Sequence, residues 1–327
     1  MQIEEVPAPE PGSGEVRVRT EAIGVNFIDI NHRSGAYPVQ LPFTPGSEAA
    51  GVVDELGEGV ESVERGQRVA FVRGRGAYAE QVLVEADRLV AIPDGVDDAT
   101  AAAALLQGMT SHYLLNSICS FEPGDWCLVH AAAGGVGTLL TQMAKLKDLR
   151  VIGTTSTATK AEIARAAGAD HVIVYSEEDF VERTREFTGG AGVRAVFDAV
   201  GKDTFEDSLR CLARYGHMIF YGQASGPPGP LDPRRLAKGS LFLTRPSFDD
   251  YISTPEDTLW RGAEVLDLVA RGKMEVRIFE RYVLADAPDA HRALQSRATT
   301  GKLVLLPYPK RVKQEDLSQE AGDGKRI

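Results

Sequence analysis

Between residues 124 and 244 the chain alternates short apolar runs with helical patterns, and few folds accommodate that alternation. The runs are DWCLVH, RVIGTT, HVIVY, RAVFDAV, HMIFYG and LFLT. Between them lie GVGTLLTQMAKLK, TKAEIARAAG, EEDFVERTREF, DTFEDSLRCLARY and DPRRLAKG, which carry the helical pattern. Strands that are nearly continuous in apolar residues are buried on both faces, so they belong to a parallel sheet with helices above and below. The expected fold class is therefore α/β.

The junction of the first run with its helix reads LVHAAAGGVGTLL. A strand over Trp126–His130, a small-residue turn and a helix beginning near Val136 are the three parts of a dinucleotide fingerprint. Ala132, Gly134 and Gly137 occupy its three glycine positions. Gly134 lets a pyrophosphate approach the backbone and Gly137 lets helix and strand pack closely. Ala at the first position requires a turn without positive φ there. Amides at the start of the following helix would receive the pyrophosphate. Alone, this pattern also fits a simple small-residue contact between helix and strand. Its place at the head of six strands favours a doubly wound Rossmann sheet.

A dinucleotide site for NAD commonly has an acid at the end of the second strand, on the ribose. Here that strand runs into Gly153-Thr154-Thr155-Ser156-Thr157-Ala158-Thr159-Lys160, with no acid. Lys160 and Ser156 would attract a 2′-phosphate that a carboxylate would repel, so the expected cofactor is NADPH. The plainer alternative leaves Lys160 as a solvated residue of a helix first turn.

Residues 1–107 have a different texture, rich in Gly and Pro, with short alternating runs EVRVRT, AAGVVDEL, QRVAFV and AEQVLV that suggest a β-rich domain. EVRIFERYVL and KLVLLP near the end are expected to rejoin it. A chain of 327 residues is long for one core. The expected division is 1–107 with 247–307 for the β-rich domain, 108–246 for the cofactor domain, and 308–327 as a charged, disordered tail. A net charge of −11 disfavours a nucleic-acid partner. The start MQIEEVPAPEPG has no signal-peptide pattern, and no apolar run reaches the ~20 residues of a membrane span. Cys119, Cys127 and Cys211 form no C-x-x-C pair, which suits a cytoplasmic protein.

VHAAAGGVG, GVNFIDINHRSGAYP, PFTPGSEAAGVV, GAYAE, LLQGMTSHYLL and SRATTGKLVL together resemble the zinc-free, zeta-crystallin-like quinone oxidoreductases of the medium-chain dehydrogenase/reductase superfamily, over about residues 3 to 307. The resemblance implies a GroES-like catalytic domain beside the Rossmann domain, NADPH as cofactor, quinone reduction, and a homodimer or homotetramer. Its cofactor site falls on Asn26 and Tyr37 at the nicotinamide end and on Gly134, Gly135, Val136 and Gly137 at the pyrophosphate. It places Ser156, Lys160 and Tyr175 at the adenosine phosphate, and Gly201, Gly222 and Gln223 in loops facing the nicotinamide half. Thr110, Arg245 and the Glu48 region are further candidates for lining the cleft. Relatives usually begin about a strand earlier; if the given start is truncated or misassigned, the catalytic domain is expected to lose an edge strand. In GSLFLTRPS a strand is expected to pair edge to edge across a dimer.

The zinc-dependent branch holds its metal with Cys, His and Cys. Its G-H-E motif matches Gly46-Ser47-Glu48, its second Cys position matches Gln107, and its first falls near Asn26–Asp29, where there is no Cys. The expected metal is none, and the six histidines are expected to be structural. A quinone suits such a site, because charge arriving with the hydride spreads through a ring that becomes aromatic. Tyr37 and Asn26 are the expected catalytic residues. Tyr37 would stack on the ring or donate to its oxygen, or else simply pack in its turn. Asn26 would bind the carboxamide or substrate, or else cap a turn. Two competing functions remain: an NADPH-dependent reductase of enone or enoyl double bonds, and a non-catalytic NADPH-binding redox sensor. No G-x-S-x-G elbow or G-x-x-x-x-G-K-[ST] loop supports a hydrolase or a triphosphatase.

Overall fold

The computed structural model describes residues 1–73 and 76–308, so the charged stretch from residue 309 lies outside the described residues. Its strands form two sheets. The first contains β1 (Glu15–Val25), β2 (Glu48–Leu56), β3 (Arg68–Val72), β4 (Gln81–Glu85) and β5 (Val90–Ala91), together with β12 (Ile278–Val283) and β13 (Lys302–Leu306). The order is β12-β13-β1-β2-β3-β5, with β4 also paired to β1. The alternation read in EVRVRT holds: Val16, Val18 and Thr20 point inward while Glu15, Arg17 and Arg19 do not. Two register shifts against β2 bend β1, and its two halves pair with different strands, β4 first and β13 later. The C-terminal segment rejoins this sheet as expected.

The second sheet is wholly parallel: β6 (Trp126–Val129), β7 (Arg150–Thr155), β8 (His171–Val174), β9 (Val193–Asp198), β10 (Leu212–Phe220) and β11 (Phe242–Thr244). These are the six expected strands, in the order β11-β10-β9-β6-β7-β8. The connecting helices are α3 (Gly135–Leu146), α4 (Ala158–Ala166), α5 (Phe180–Phe187) and α6 (Phe205–Cys211). The strand order reverses between β6 and β9, and the carboxyl ends of those strands frame the crevice where such sheets bind ligands.

Two local expectations differ from the structure. The helix expected over DTFEDSLRCLARY stops at Cys211. Leu212 turns extended and pairs with Val193, and an irregular stretch with Tyr215 at φ 59° follows before regular pairing resumes at His217. Pairing with β9 thus overrides the helical pattern. The DPRRLAKG segment makes only a 3-10 turn at Pro233–Ala237, started by the Asp232 side chain.

Helix α2 (Asp98–Asn116) lies between the sheets, with Asp97 accepting from the Thr100 amide at its start. The expected division at 107/108 falls inside this helix. Its alanine run, Ala101–Ala104, belongs to the core that contains Ala22, Ala50 and Ala70 of the first sheet. Leu139, Leu140 and Met143 of α3 complete the same core from the cofactor side. Helix α7 (Pro255–Ala270) lies against α2 where Gly108 leaves no room, since a Cβ there would sit 2.5 Å from Val265 Cγ1. Two shorter helices serve the first sheet: α1 (Phe27–Ser34) follows β1, and α8 (Ala287–Gln295) precedes β13. Among the described residues no helix is long and apolar enough to cross a membrane.

The α2–α7 contact gives a test of this packing. Gly108→Ala should destabilise the protein by about 1–3 kcal/mol in urea unfolding, despite alanine's better helix propensity. Adding Val265→Ala should recover part of the loss.

Candidate active site

The turn after β6 takes a positive φ at Ala131 (52°), one residue before the first fingerprint position. Ala132 therefore avoids positive φ, as expected, because its neighbour carries that conformation. The Gly134 amide donates back to the Ala131 carbonyl at 2.8 Å, and Gly134 then caps α3 without any side chain. The first amides of the helix accordingly have no side-chain acceptor at the cap. The closely packed position is Gly137, where a Cβ would lie 2.3 Å from the Ala131 carbonyl oxygen. Gly135 is needed for another reason: the Gln107 side chain from α2 lies across it, 2.1 Å from where a Cβ would be. Val136 is half-buried beside them.

Beyond β9 and β10 the chain again comes close to itself. Gly201 has φ 91° and faces the Gly226 carbonyl, while Gly222 faces the Ala199 carbonyl. The fully buried Asp198 holds the first of these loops by accepting from the amides of Val200 and Gly201. Gln223 follows, half-buried.

At the ends of β7 and β8, Ser156, Lys160 and Tyr175 gather at one edge. Thr157 caps α4 by accepting from the Lys160 amide, and the Ser176 hydroxyl donates to the Ser156 carbonyl. Tyr175 is half-exposed. The Lys160 ammonium donates to the carbonyl of Arg297, whose own guanidinium donates to the Ala224 carbonyl at 2.6 Å. Arg297 was not singled out as a site residue from the sequence. Its only signal was membership of SRATTGKLVL. That segment continues to Gly301, whose amide donates to the Ala133 carbonyl and which bridges Gly134.

On the β-rich side the expectation for Asn26 needs correction. Its side chain is buried, and the amide donates to Glu48 Oε2 at 2.9 Å and to the Gly24 carbonyl. Its carbonyl accepts from Lys302 Nζ at 2.7 Å. Both amide hydrogens are committed, so Asn26 is no free donor toward a ligand. Lys302 and Glu48 are themselves buried and paired at 2.5 Å, and Glu48 Oε1 accepts from the Leu106 amide of α2. Removing one member of such a pair costs about 3–5 kcal/mol. Lys302 escaped notice because it stands in an apolar strand, KLVLL, with partners far away in sequence.

Tyr37 lies in the loop after α1, half-buried, edge-on to His32. Thr110 is buried and donates to the Leu106 carbonyl. Arg245 is exposed, lies over the Phe220 ring and donates to the Tyr221 carbonyl.

A second buried polar chain begins at Ser47. Its hydroxyl donates to Asp29 Oδ1 at 2.7 Å, and the Tyr78 hydroxyl donates to Asp29 Oδ2 at 3.1 Å. His291 Nε2 of α8 lies 2.9 Å from the Tyr78 oxygen. Burial pushes the Asp29 carboxyl up to about 6, against the lowering effect of Ser47, the Asn26 amide, Lys302 and Tyr78. Burial, helped by Arg33 and the N-terminal ammonium, pushes His291 down to about 4. The positions where a catalytic zinc would be held thus present a serine hydroxyl engaged with Asp29 and a glutamine packed on Gly135. Neither is a zinc donor of the usual Cys, His or carboxylate type, so the residues do not fit a catalytic zinc. Among the described residues no three His, Cys, Asp or Glu side chains converge as a metal site would require. Elsewhere His130 is fixed between Thr154 and Ser208, and His112 between Glu264 and Arg261.

Asp29 and His291 should impose opposite pH slopes on stability. Native Asp29 keeps its proton up to about 6, above the ordinary 3.8, so its contribution falls as pH rises through that range. The difference is worth roughly 3 kcal/mol at most. Native His291 loses its proton near 4, below the ordinary 6.5, so its contribution rises with pH. Chemical unfolding between pH 4 and 6.5 should be read as the slope of each variant relative to the parent, because His112, His130 and His217 are also held below the ordinary imidazole range by burial. Relative to the parent, stability should rise more steeply with pH in Asp29→Asn and less steeply in His291→Gln.

Comparison with known proteins fits both sheets. Residues 12–94 match the family described as alcohol dehydrogenase GroES-like domain, and residues 135–253 match that described as zinc-binding dehydrogenase. The chain is 46% identical to a quinone oxidoreductase of Salmonella typhimurium over 312 residues, covering 94% of this chain and 95% of that protein. It is 42% identical to a 2-haloacrylate reductase of a Burkholderia species, covering 93% and 94%. The crystal structure of Escherichia coli quinone oxidoreductase complexed with NADPH superposes with a TM-score of 0.90 at 43% identity, over 93% of this chain and 95% of that one. With its two-sheet architecture, its glycine loop at the strand-order reversal and these relatives, the chain belongs to the quinone oxidoreductases of the medium-chain, zinc-type alcohol dehydrogenase-like family.

Proposed function

We propose that this protein is an NADPH-dependent quinone oxidoreductase that works without a catalytic metal. The observation that carries this reading is the pairing of a glycine loop at the strand-order reversal with a facing site whose zinc-ligand positions hold Ser47 and Gln107. Bound NADPH supplies a hydride. The amides of Gly134, Gly135, Val136 and Gly137 would hold its pyrophosphate at the start of α3. Ser156, Lys160 and Tyr175, with Arg297 beside them, would hold the adenosine phosphate. Gly201, Gly222 and Gln223 would leave room for the nicotinamide half, with Arg245 at the rim. Thr110 and Asn26 would act behind the surface by fixing α2 and the turn before α1. Tyr37 has a half-buried ring and would orient the quinone by stacking or through its hydroxyl.

A site without a Lewis acid favours a substrate that spreads incoming charge by itself. Quinones do so fully, since the product ring is aromatic, and activated alkenes do so in part. The 2-haloacrylate reductase similarity favours activated alkenes as a second substrate class. The chain would act in the cytoplasm, in keeping with three unpaired cysteines, two of them buried. It would assemble as a homodimer or homotetramer. Strand β11 supports this, because it stands at the sheet edge with Phe242 and Leu243 exposed.

The test is to follow NADPH absorbance with 1,4-benzoquinone, a naphthoquinone, an alkyl enone and 2-chloroacrylate. Fast oxidation by the quinones supports the proposal. NADPH binding without turnover on any of them overturns it in favour of a redox sensor. In Lys160→Ala the preference for NADPH over NADH should fall about ten- to a hundredfold, the worth of one charge-assisted hydrogen bond. An unchanged ratio would remove Lys160 from the phosphate site.

A further inference from the structure

We propose that the Ser47 hydroxyl is the proton donor to the oxygen of the reduced substrate, and that Asp29 is the proton store behind it. The proposal rests on the quinone oxidoreductase reading. It starts from the geometry of one carboxyl group. Asp29 is fully buried on α1 and has three partners: the Asn26 backbone N–H at 2.9 Å, the Tyr78 hydroxyl at 3.1 Å and the Ser47 hydroxyl at 2.7 Å. Of these partners only Ser47 is partly exposed, so the carboxyl communicates with the outside through that hydroxyl. The residue after Ser47 is Glu48, which holds the Leu106 amide, and Gln107 next along α2 lies on Gly135 of the phosphate loop. Ser47 thus stands one residue from the contact with α2, at the position where the zinc-dependent branch has the His of its G-H-E motif.

The chemistry needs such a group. Hydride transfer to a quinone delivers two electrons and one proton and leaves a hydroquinone monoanion, which still lacks one proton. In the proposed step the protonated Asp29 donates to Ser47 Oγ, reversing the hydrogen bond drawn for the carboxylate, so the Ser47 O–H turns to that oxygen, breaks and gives it its proton. The Asp29 carboxylic O–H breaks in turn, and its proton restores the Ser47 hydroxyl. Asp29 is left as a carboxylate stabilised by the Asn26 amide and the Tyr78 hydroxyl. After the product leaves, a proton from water returns through Ser47, so one quinone, one NADPH and one solvent proton give one hydroquinone and one NADP⁺.

The groups around Asp29 suit this role. From α1 itself come the Asn26 amide and Arg33, from the β2 side Ser47 and Glu48, from the loop before β4 Tyr78, from α8 His291, and from β13 Lys302. Burial outweighs these partners and holds the carboxyl proton into the mildly acidic range, up to about 6. His291 Nδ1 is buried without a hydrogen-bond partner, so the histidine has no outlet of its own and anchors Tyr78 from behind. Ser47 is the catalytic residue in this proposal, and Asp29 and Tyr78 are positioning residues that act through it.

The experiment compares the parent with Ser47→Ala, Ser47→Thr and Asp29→Asn, using NADPH and 1,4-benzoquinone. The readouts are kcat, its solvent deuterium isotope effect, its pH profile, the NADPH dissociation constant, and the infrared carboxyl band of Asp29. Ser47→Ala should lower kcat by about tenfold or more, abolish the solvent isotope effect and leave NADPH affinity unchanged. Ser47→Thr should restore most of the rate. Asp29→Asn should remove the limb of the pH profile on which kcat falls as pH rises through about 6. Parent-like kcat and isotope effect in Ser47→Ala, or an unchanged pH limb in Asp29→Asn, would overturn the relay. Should the parent bind NADPH yet reduce no quinone, the quinone reading itself fails. The infrared titration then decides the relay alone: a band that is lost in Asp29→Asn and shifts its midpoint in Ser47→Ala supports the coupling, and an unshifted midpoint overturns it.

Discussion

The buried ion pair between Lys302 and Glu48 holds the β-rich half in the arrangement on which the site depends. Each charge loses several kcal/mol of hydration when it is taken out of water. The loss is offset because Lys302 Nζ reaches Glu48 and Asn26, while the other Glu48 oxygen reaches the Leu106 amide. Four elements meet there: β13, β2, the turn from β1 into α1, and α2. Apolar side chains of the same volume often fill such a space without loss of stability. They do not select one pairing of strands, whereas an ammonium with a single buried carboxylate does. A slip of β13 by one residue would turn Lys302 to the opposite face and leave Glu48 unpaired.

Two polar clusters with different tasks stand where the zinc-dependent branch places its ligands. One cluster carries a fixed, paired charge and determines where the backbone lies. The other, from Ser47 to His291, carries a carboxyl whose proton is held by burial. Gly24 shows how tightly the first is built, since a Cβ there would lie 2.3 Å from a Glu48 oxygen and 2.5 Å from the Ala102 carbonyl. The site is therefore assembled from oxygen and nitrogen groups that satisfy one another.

Much of the second sheet was legible because its signal is local. An apolar run, a glycine and a helical period recur, and each strand pairs with a run of the same kind. The glycine turn after β6 was legible for the same reason, down to the packing role of Gly137. Legibility failed where a partner lay far away in the chain. LARY has a helical pattern, yet its pairing with β9 makes it strand. Asn26 in GVNF looks like an exposed turn amide until Lys302, 276 residues later, takes its carbonyl. Asp29, Tyr78 and His291 carry no motif, and only the meeting of α1, the loop before β4 and α8 gives them a common purpose. Glu48 and Gln107 were noticed through the zinc comparison, which gave their positions but not their contacts.

The bridge between Gly134 and Gly301 has a mechanical consequence. Gly301 is bonded covalently to Lys302, so the phosphate loop and the buried ammonium are separated by one contact and a single 3.8 Å Cα step. The two cannot be adjusted separately. No linker lies between them, so a shift of the loop bears directly on the strand that carries the ion pair. Natural variation should accordingly be tolerated in loops such as residues 226–231 far more than at this joint. The geometry of the glycine turn and the pairing of β13 are thereby fixed together.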